Sequence, residues 1–520
     1  MTASRSNNDV QVAVIGFGPS GAVAASLLGA RGISTLAIDR QQGVYGKPRA
    51  IAIDHEILRL FDNLGVAERV LPHVAPFPAS QHFGAQGQLI RRIDMVQEPY
   101  PLGYTPTMVF TQPPVEAALR DHAASYPGVR VELGTELIGL EQDAERVTLH
   151  LRDAAGAVRV ETADYVIACD GASSGVRQQL GIALDDLVFD EPWLVVDVLV
   201  NEDALGKLPQ TAAQFCDPAR PTSFIIGPKN HRRWEIMLLP GEDPRVMEQP
   251  EQVWSLLARW LTPDDATLWR SASYRFHALV AHEWRKGRVF LAGDAAHQQP
   301  PFIGQGMCQG LRDVSNLAWK LEEALHGQAG NDLLDTYGEE RAEHVRQLTS
   351  RIKAIGHVIC ERDPERARER DARILAEGGG QPRTITRQEI VPPLQRGLLA
   401  LDTPAAGILF PQPWITGATG PALLDKVAGG GWRLVCRAGS AADTEELGAA
   451  AAQAGLALVR IGVGGLLERD GVLDRWFAQQ EAVAAVVRPD HYVYGTAADA
   501  ASLSLLLAGL RARRSVSHQT

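Results

Sequence analysis

Residues 12–39 constrain the fold more than any other stretch of the chain. A short apolar run, Val12-Ala13-Val14-Ile15, breaks into Gly16-Phe17-Gly18-Pro19-Ser20-Gly21, continues as an Ala- and Leu-rich segment, and resumes as an apolar strand ending on Asp39. A run that is apolar throughout reads as a strand buried on both faces. The glycine pattern gives a tight turn at the first position, backbone open to a pyrophosphate at the second, and close helix–strand packing at the third. A diphosphate then sits on the unpaired N–H groups at the helix N-terminus, and Asp39 can accept hydrogen bonds from ribose hydroxyls. With 49 glycines in the chain, chance matches to six positions are expected. The weight therefore rests on context: a strand before, a helix after, and an acidic residue ending the next strand. The stretch predicts a dinucleotide site and leaves NAD and FAD both open.

The chain of 520 residues is too long for a single core, so two or three domains are expected. A net charge of −11 offers no basic field for nucleic acid. The 5 cysteines (Cys169, Cys216, Cys308, Cys360 and Cys436) are widely spaced, odd in number and without a CxxC pair. That pattern fits a reducing compartment and opposes a disulfide framework or a zinc site. The polar N-terminus and the lack of a long apolar run predict a cytoplasmic protein with no membrane span.

Two later segments, "ADYVIACDG" (163–171) and "GRVFLAGD" (287–294), read as further apolar strands ending beside an acidic residue and a glycine. Between them, residues 190–240 alternate as antiparallel strands do. Helical sequence dominates 307–375, and the glycines and Pro382 that follow read as a linker. From about 405, strand-like runs ("WRLVCR", "LALVRIG", "AVAAVVRPDHYVYG") alternate with Ala-rich helical segments in a third, small α/β unit. The segment "FLAGDAAHQQPPFIGQGM" (290–307) concentrates Asp294, His297, Pro300, Pro301 and three glycines. No second His or Cys stands at ligand spacing, so no metal is expected, and His297 reads as a packed residue supporting the turn.

"DYVIACDGASSGVR" (164–177) resembles the Asp-Gly motif of single-component FAD-dependent aromatic hydroxylases, and "GRVFLAGDAAHQQPPFIGQGMCQGLRDVSNLAWKL" resembles their Gly-Asp motif. With the N-terminal turn these form that family's three-motif signature in order, over roughly residues 1–375. "VVDVLV", "FCDPARP", "RRWEIMLLPGE" and "LLDTYGEERAEH" are similar to segments of 3-(3-hydroxyphenyl)propionate and 3-hydroxycinnamate hydroxylases. The resemblance implies an α/β protein with a Rossmann-like FAD-binding domain (1–75, 101–180 and 276–375) and an inserted antiparallel-sheet substrate domain (76–100 and 181–275). A linker (376–404) and a C-terminal thioredoxin-like domain (405–520) follow. Without CxxC that last domain reads as redox-inert, with Cys436 a small core residue, and as a packing or homodimer element.

The resemblance also implies roles. Gly16, Gly18, Pro19, Ser20 and Gly21 would hold the diphosphate of non-covalent FAD, and Asp39 the adenosine ribose, with Arg40 near the adenine. Arg49 would pair with the diphosphate and Gln112 with ribityl or phosphate oxygens. Asp170 would lie under the cofactor with Arg177 near it. Asp294 would take the ribityl hydroxyls, and the backbone of Gly304, Gly306, Met307 and Cys308 would meet the flavin N1–C2=O edge, where N–H dipoles stabilise reduced flavin. NADH or NADPH would reduce the flavin, and O₂ would yield a C4a-hydroperoxyflavin that hydroxylates a small phenol, 3-(3-hydroxyphenyl)propionate or 3-hydroxycinnamate giving the catechol. Resorcinol-type and polyketide-derived phenols are alternatives. A halogenase would carry WxWxIP, which does not occur here, and "PPFIGQGM" argues against a non-oxygenase reductase. On the substrate side the candidates are Pro300, Pro301, Tyr104, Phe110, Phe224, Met237 and Phe302. Arg220, Arg232, Arg233 and His282 are the candidates to meet a carboxylate.

Overall fold

The computed structural model describes residues 9–417 and 420–514. Its first sheet carries parallel strands in the order Val289–Leu291, Val158–Ala168, Asp9–Ile15, Thr35–Asp39 and Val129–Leu133. Ile15 pairs with both Ile38 and Ala168, and Ala168 with Leu291. The turns at 16–18, 39–40, 169–171 and 292–294 therefore leave the sheet at one carboxyl edge, where open parallel sheets bind ligands. Helices Pro19–Ala30 and Gly306–Leu325 cover one face, and Val12, Ala13, Val14 and Leu36 are buried.

A nine-stranded sheet forms the second layer. Its long strands Leu184–Val200 and Ala266–Ala281 pair antiparallel along most of their length, flanked by His231–Met237, Thr222–Ile226, Ala212–Phe215, Ser80–Phe83 and Leu89–Asp94. On the outer face Leu194, Val196, Phe224, Trp234 and Ile236 pack with Val253 and Leu257 of the helix Pro250–Leu257. On the inner face Trp193, Val195 and Met237 pack with Phe302 and Ile303 of the first domain. The period of two along each strand separates the faces.

The segment 376–404 is more than a linker. Arg383–Thr386 adds a parallel strand beside Leu89–Asp94, Arg383 opposite Arg91, so part of the connection is built into the substrate sheet. The two threonines and Ile385 favour an extended chain there. The C-terminal unit is thioredoxin-like. Arg433–Arg437 runs parallel to Ala457–Ile461 and antiparallel to Ala484–Val487, which pairs with Val493–Ala497. Cys436 is buried in this core.

Two buried charge networks join this unit to the first domain. Asp425 accepts from Arg59 at 2.7 and 2.9 Å and from Arg433 at 2.7 Å. Glu340 accepts from Lys320 at 2.8 Å, Arg488 at 2.7 Å and Asn316 at 2.7 Å. Burial pushes the Glu340 carboxyl up, but Arg488 and Lys320 outweigh it and hold the group well below the ordinary range. Among the described residues no helix is long and apolar enough to cross a membrane.

Candidate cofactor and substrate site

At the carboxyl edge of the parallel sheet lies a cleft of about 790 Å³, lined among others by Gly16, Gly18, Asp39, Arg40, Arg49, Arg120 and Asp170. The glycines divide the work. Gly16 has φ +93°, and a Cβ there would stand 2.4 Å from the Cys169 carbonyl oxygen. A Cβ on Gly21 would stand 1.9 Å from the Gly16 oxygen, whereas one on Gly18 would meet no atom within 4 Å. The first and third glycines are thus fixed by packing, and the second leaves open space for a ligand. Pro19 occupies the first helical position, where its missing N–H costs nothing. The N–H groups of Ser20 and Gly21 take no backbone acceptor, as helix starts require.

Ser20 has a second role. Its Oγ would lie 2.4 Å from a Cβ on Gly310 and 2.9 Å from one on Gly293, so its side chain fills the seam between the two helices. Asp39 accepts from Phe17 N at 2.9 Å and from Gln41 N at 2.8 Å, which shapes the turn and leaves the carboxylate at the cleft wall. Arg49 has half its side chain exposed and lies 3.6 Å from Glu116. Asp170 Oδ2 accepts from Val176 N at 3.1 Å, while Oδ1 is buried without a partner. Arg177 donates to the carbonyls of Ala295 and Ala172 and ties this turn to the Asp294 loop.

Asp294 is solvent-accessible at its surface yet closely surrounded by protein. Lost hydration raises its carboxyl above the ordinary range, against the pull of His297 and Arg49. Among the described residues no donor reaches it. His297 is buried at 2.7 Å from Asp313, and its ring stacks on Trp284. Beyond Pro300 and Pro301, the helix Gly306–Leu325 begins with the N–H groups of Gly306, Met307 and Cys308 free of backbone acceptors. Gly304 presses on Ala52, and the Cys308 side chain lies in the core behind the turn. Open backbone at Gly18, the orphaned Asp170 Oδ1, the unmet Asp294 carboxylate and two free helix N-termini fit FAD from diphosphate to flavin ring. Among the described residues no group of three His, Cys, Asp or Glu side chains could hold a metal ion.

Several predicted positions are corrected. Gln112 is buried, and both ends of its amide are engaged: Oε1 accepts from Arg49 N and Ala50 N, and Nε2 donates to Glu116. Its amide thereby positions the Arg49 loop. Phe224 faces the outer core against Trp234, away from the flavin loops. Tyr104 donates to Asp62 at 2.6 Å and accepts from Gln412 of the C-terminal side. His282 is exposed beside Asp185. Arg233 grips Asp197 and the Arg49 carbonyl, Arg232 donates to backbone carbonyls, and Arg220 pairs with Glu242. Phe110 is buried in the first-domain core. Met237 and Phe302 do lie together on the inner side of the substrate sheet.

Three residues went unread. Arg120 lies 2.8 Å from Glu116 and 3.7 Å from Asp39 and lines the cleft. The i, i+4 recurrence Gln112, Glu116, Arg120 was the available signal. Gln299, inside the cluster 290–307, has both amide atoms buried without partners. Glu235 is 4% exposed on the inner face, and nothing but its strand parity with Arg233 and Met237 marks it.

Residues 9–352 match the family described as FAD binding domain, and residues 407–513 that described as HcaD C-terminal domain. The chain is 38% identical over 506 residues to a probable NADH-specific resorcinol 4-hydroxylase of Rhodococcus jostii (strain RHA1), covering 95% of this chain and 93% of that one. It is 34% identical over 536 residues to a 3-(3-hydroxy-phenyl)propionate/3-hydroxycinnamic acid hydroxylase of Burkholderia cenocepacia (strain HI2424), covering 98% and 97%. Among solved structures it superposes on the flavin-dependent monooxygenase PieE in complex with FAD and substrate, with a TM-score of 0.82 at 24% identity, over 98% of this chain and 100% of that one. That last likeness concerns the fold alone.

Proposed function

The chain belongs to the FAD-dependent aromatic monooxygenases built on this FAD-binding domain, and from that premise we propose that its substrate is a neutral meta-dihydroxybenzene of the resorcinol type, hydroxylated with NADH and O₂. FAD, when bound and reduced, supplies the activated oxygen. The chain's own groups must orient the ring, exclude water and handle the phenolic proton.

The observation that carries the reading is the charge balance on the inner sheet face. Arg233 and Arg270 are committed to Asp197 and to the Pro48 and Arg49 carbonyls, while the Glu235 carboxylate beside them has no partner. Such a face suits a ring that offers hydroxyl donors. A substrate carboxylate beside Glu235 would meet an unpaired carboxylate, with the neighbouring Arg233 and Arg270 already committed, a costly burial of like charges. The 38% identity to a relative named as an NADH-specific resorcinol hydroxylase points the same way.

A second reading, 3-(3-hydroxyphenyl)propionate or 3-hydroxycinnamate, draws on the relatives at 34% identity. It requires a cation to be freed, and Arg220, paired with Glu242 at 2.6 Å, is the candidate. The deciding experiment measures NADH and NADPH oxidation together with product yield for resorcinol, 3-(3-hydroxyphenyl)propionate and simple phenols. Coupled formation of a trihydroxybenzene from resorcinol with NADH is expected. Coupled hydroxylation of the propionate, with resorcinol giving only peroxide, overturns the resorcinol reading.

A further inference from the structure

Across the substrate sheet runs one row of cross-strand partners that includes Val195, Glu235, Ser223, Gln214, His82 and Arg91. Glu235, Ser223, Gln214 and His82 are polar and buried. Ser223 donates to Gln214 at 2.5 Å, which leaves Glu235 the member with an acidic group and no hydrogen bond among the described residues.

The direction of the Glu235 side chain follows from its strand neighbours. Two residues before it, Arg233 reaches the Arg49 carbonyl at 2.7 Å. Two residues after it, Met237 packs in the cluster that holds Phe302 and Ile303. Residues i, i+2 and i+4 of a strand share a face, so Glu235 points between the loop that carries Arg49 and the loop that follows Pro300 and Pro301. The second of these loops leads into the helix start at Gly306, whose free N–H groups would meet the flavin ring under the FAD placement argued above.

Resting on the reading of the substrate as a phenol, we propose that Glu235 is the catalytic base that removes the proton from the substrate's reactive hydroxyl. The phenolic O–H bond breaks heterolytically, its proton bonds to a Glu235 carboxylate oxygen, and the electron pair stays on the substrate oxygen. From there it enriches the ortho and para carbons, one of which bonds to one oxygen atom derived from O₂ as the O–O bond breaks, the second oxygen leaving as water. The balance closes when that carbon sheds its hydrogen as a proton and Glu235 returns its own to the substrate oxygen. NADH and O₂ supply the electrons and the oxygen.

The surroundings suit this role. Burial pushes the Glu235 carboxyl up to about 7, with Arg233 on its own strand pulling it down and Asp197 on the next strand pushing it up. A base near the working pH combines a large ionised fraction with useful strength. His82 in the same row is driven by burial and by Arg91 down to about 3, so it stays a neutral ring at neutral pH. Arg270 and His231 are drawn to Asp197.

The test compares the wild-type holoenzyme with Glu235→Gln and Glu235→Asp on resorcinol and on ring-fluorinated resorcinols whose hydroxyls are more acidic. Single-turnover product formation is followed from about pH 5.5 to about pH 9. The wild-type rate should rise through neutrality, and Glu235→Gln should bind FAD, fall by about 100-fold and lose that rise. The fluorinated substrates should recover part of the loss. A Glu235→Gln protein with the wild-type rate and pH profile overturns the base. If that protein does not hold FAD, Glu235→Asp decides: a displaced pH limb supports the carboxyl, and an unmoved one overturns it. A wild type that oxidises NADH but hydroxylates no phenol sinks the substrate reading and the base with it. Wild-type hydroxylation with an unimpaired Gln variant sinks the base alone.

Discussion

The seam beneath the C-terminal domain and the cleft at the sheet edge both gather buried charge, and they treat it in opposite ways. At the seam the two central carboxylates are met on both sides, Asp425 by Arg59 and Arg433 and Glu340 by Lys320 and Arg488, although Glu323 Oε2 nearby is buried without a partner. Along the cleft, the loop at 292–299 and the inner sheet face, Asp170 has one oxygen orphaned, Asp294 and Glu235 lack donors, and Gln299 has both amide atoms unmet. Leaving a polar group unpaired away from water costs free energy. Groups completed by the protein mark scaffold, whereas groups left incomplete in one place mark where a ligand completes them.

The contrast breaks most visibly at the seam. Arg488→Ala leaves Glu340 partly uncompensated and should cost about 3–5 kcal/mol in chemical denaturation. Because the folded Glu340 carboxyl lies below its unfolded value, its contribution is fully present above the unfolded pKa and is lost as pH falls below it. The variant should show a weaker loss of stability on acidification than wild type. An unchanged denaturation midpoint would erase the distinction between the two regions.

Next comes Glu235, whose shift has the opposite sign. Its folded pKa, about 7, lies above the unfolded value, so its ionisation costs stability as pH rises through that window. Relative to wild type, Glu235→Gln should gain about 2–3 kcal/mol between pH 5 and pH 8, a figure scaled from about 1.4 kcal/mol per pH unit. Thermal melts of the apoprotein check it, and no relative gain would contradict a charged, unpaired carboxylate.

Within the glycine turn, Gly21→Ala should destabilise the apoprotein by about 1–3 kcal/mol through contact with the Gly16 carbonyl. Gly18→Ala should leave its stability within about 0.5 kcal/mol while weakening FAD. The smallest stability effect belongs to Asp294→Ala: an unchanged or slightly more stable apoprotein that binds FAD about 10- to 100-fold more weakly. Flavin fluorescence titration separates these cases, and full FAD retention by the Asp294 variant would remove its ribityl role.

What could be read from the chain was what is local. The turn at 16–21, the acidic residue ending the next strand and the segment 290–307 each encode a backbone path within a few residues, and the parallel sheet and its carboxyl edge followed from them. Which side of the nine-stranded sheet a residue faces could not be read the same way. That sheet is packed on both faces, so Phe224 and Met237 carry the same apolar signature although one faces helix Pro250–Leu257 and the other the flavin loops. The protein partners of Gln112 were not legible either, because an amide bonds equally well to backbone N–H groups and to a ligand. The strand Arg383–Thr386 was hidden because its partner Leu89–Asp94 is distant in sequence. Glu235, one acidic residue within "RRWEIMLL", became informative only once its neighbours' contacts gave its direction.

The Ser20 hydroxyl wedged between Gly293 and Gly310 has a mechanical consequence. It locks the start of the first helix, the loop before Asp294 and the first turns of helix Gly306–Leu325 into one seam with no room for an extra methyl group. The glycine turn and the Asp294 loop are therefore held at one spacing, like the jaws of a set calliper.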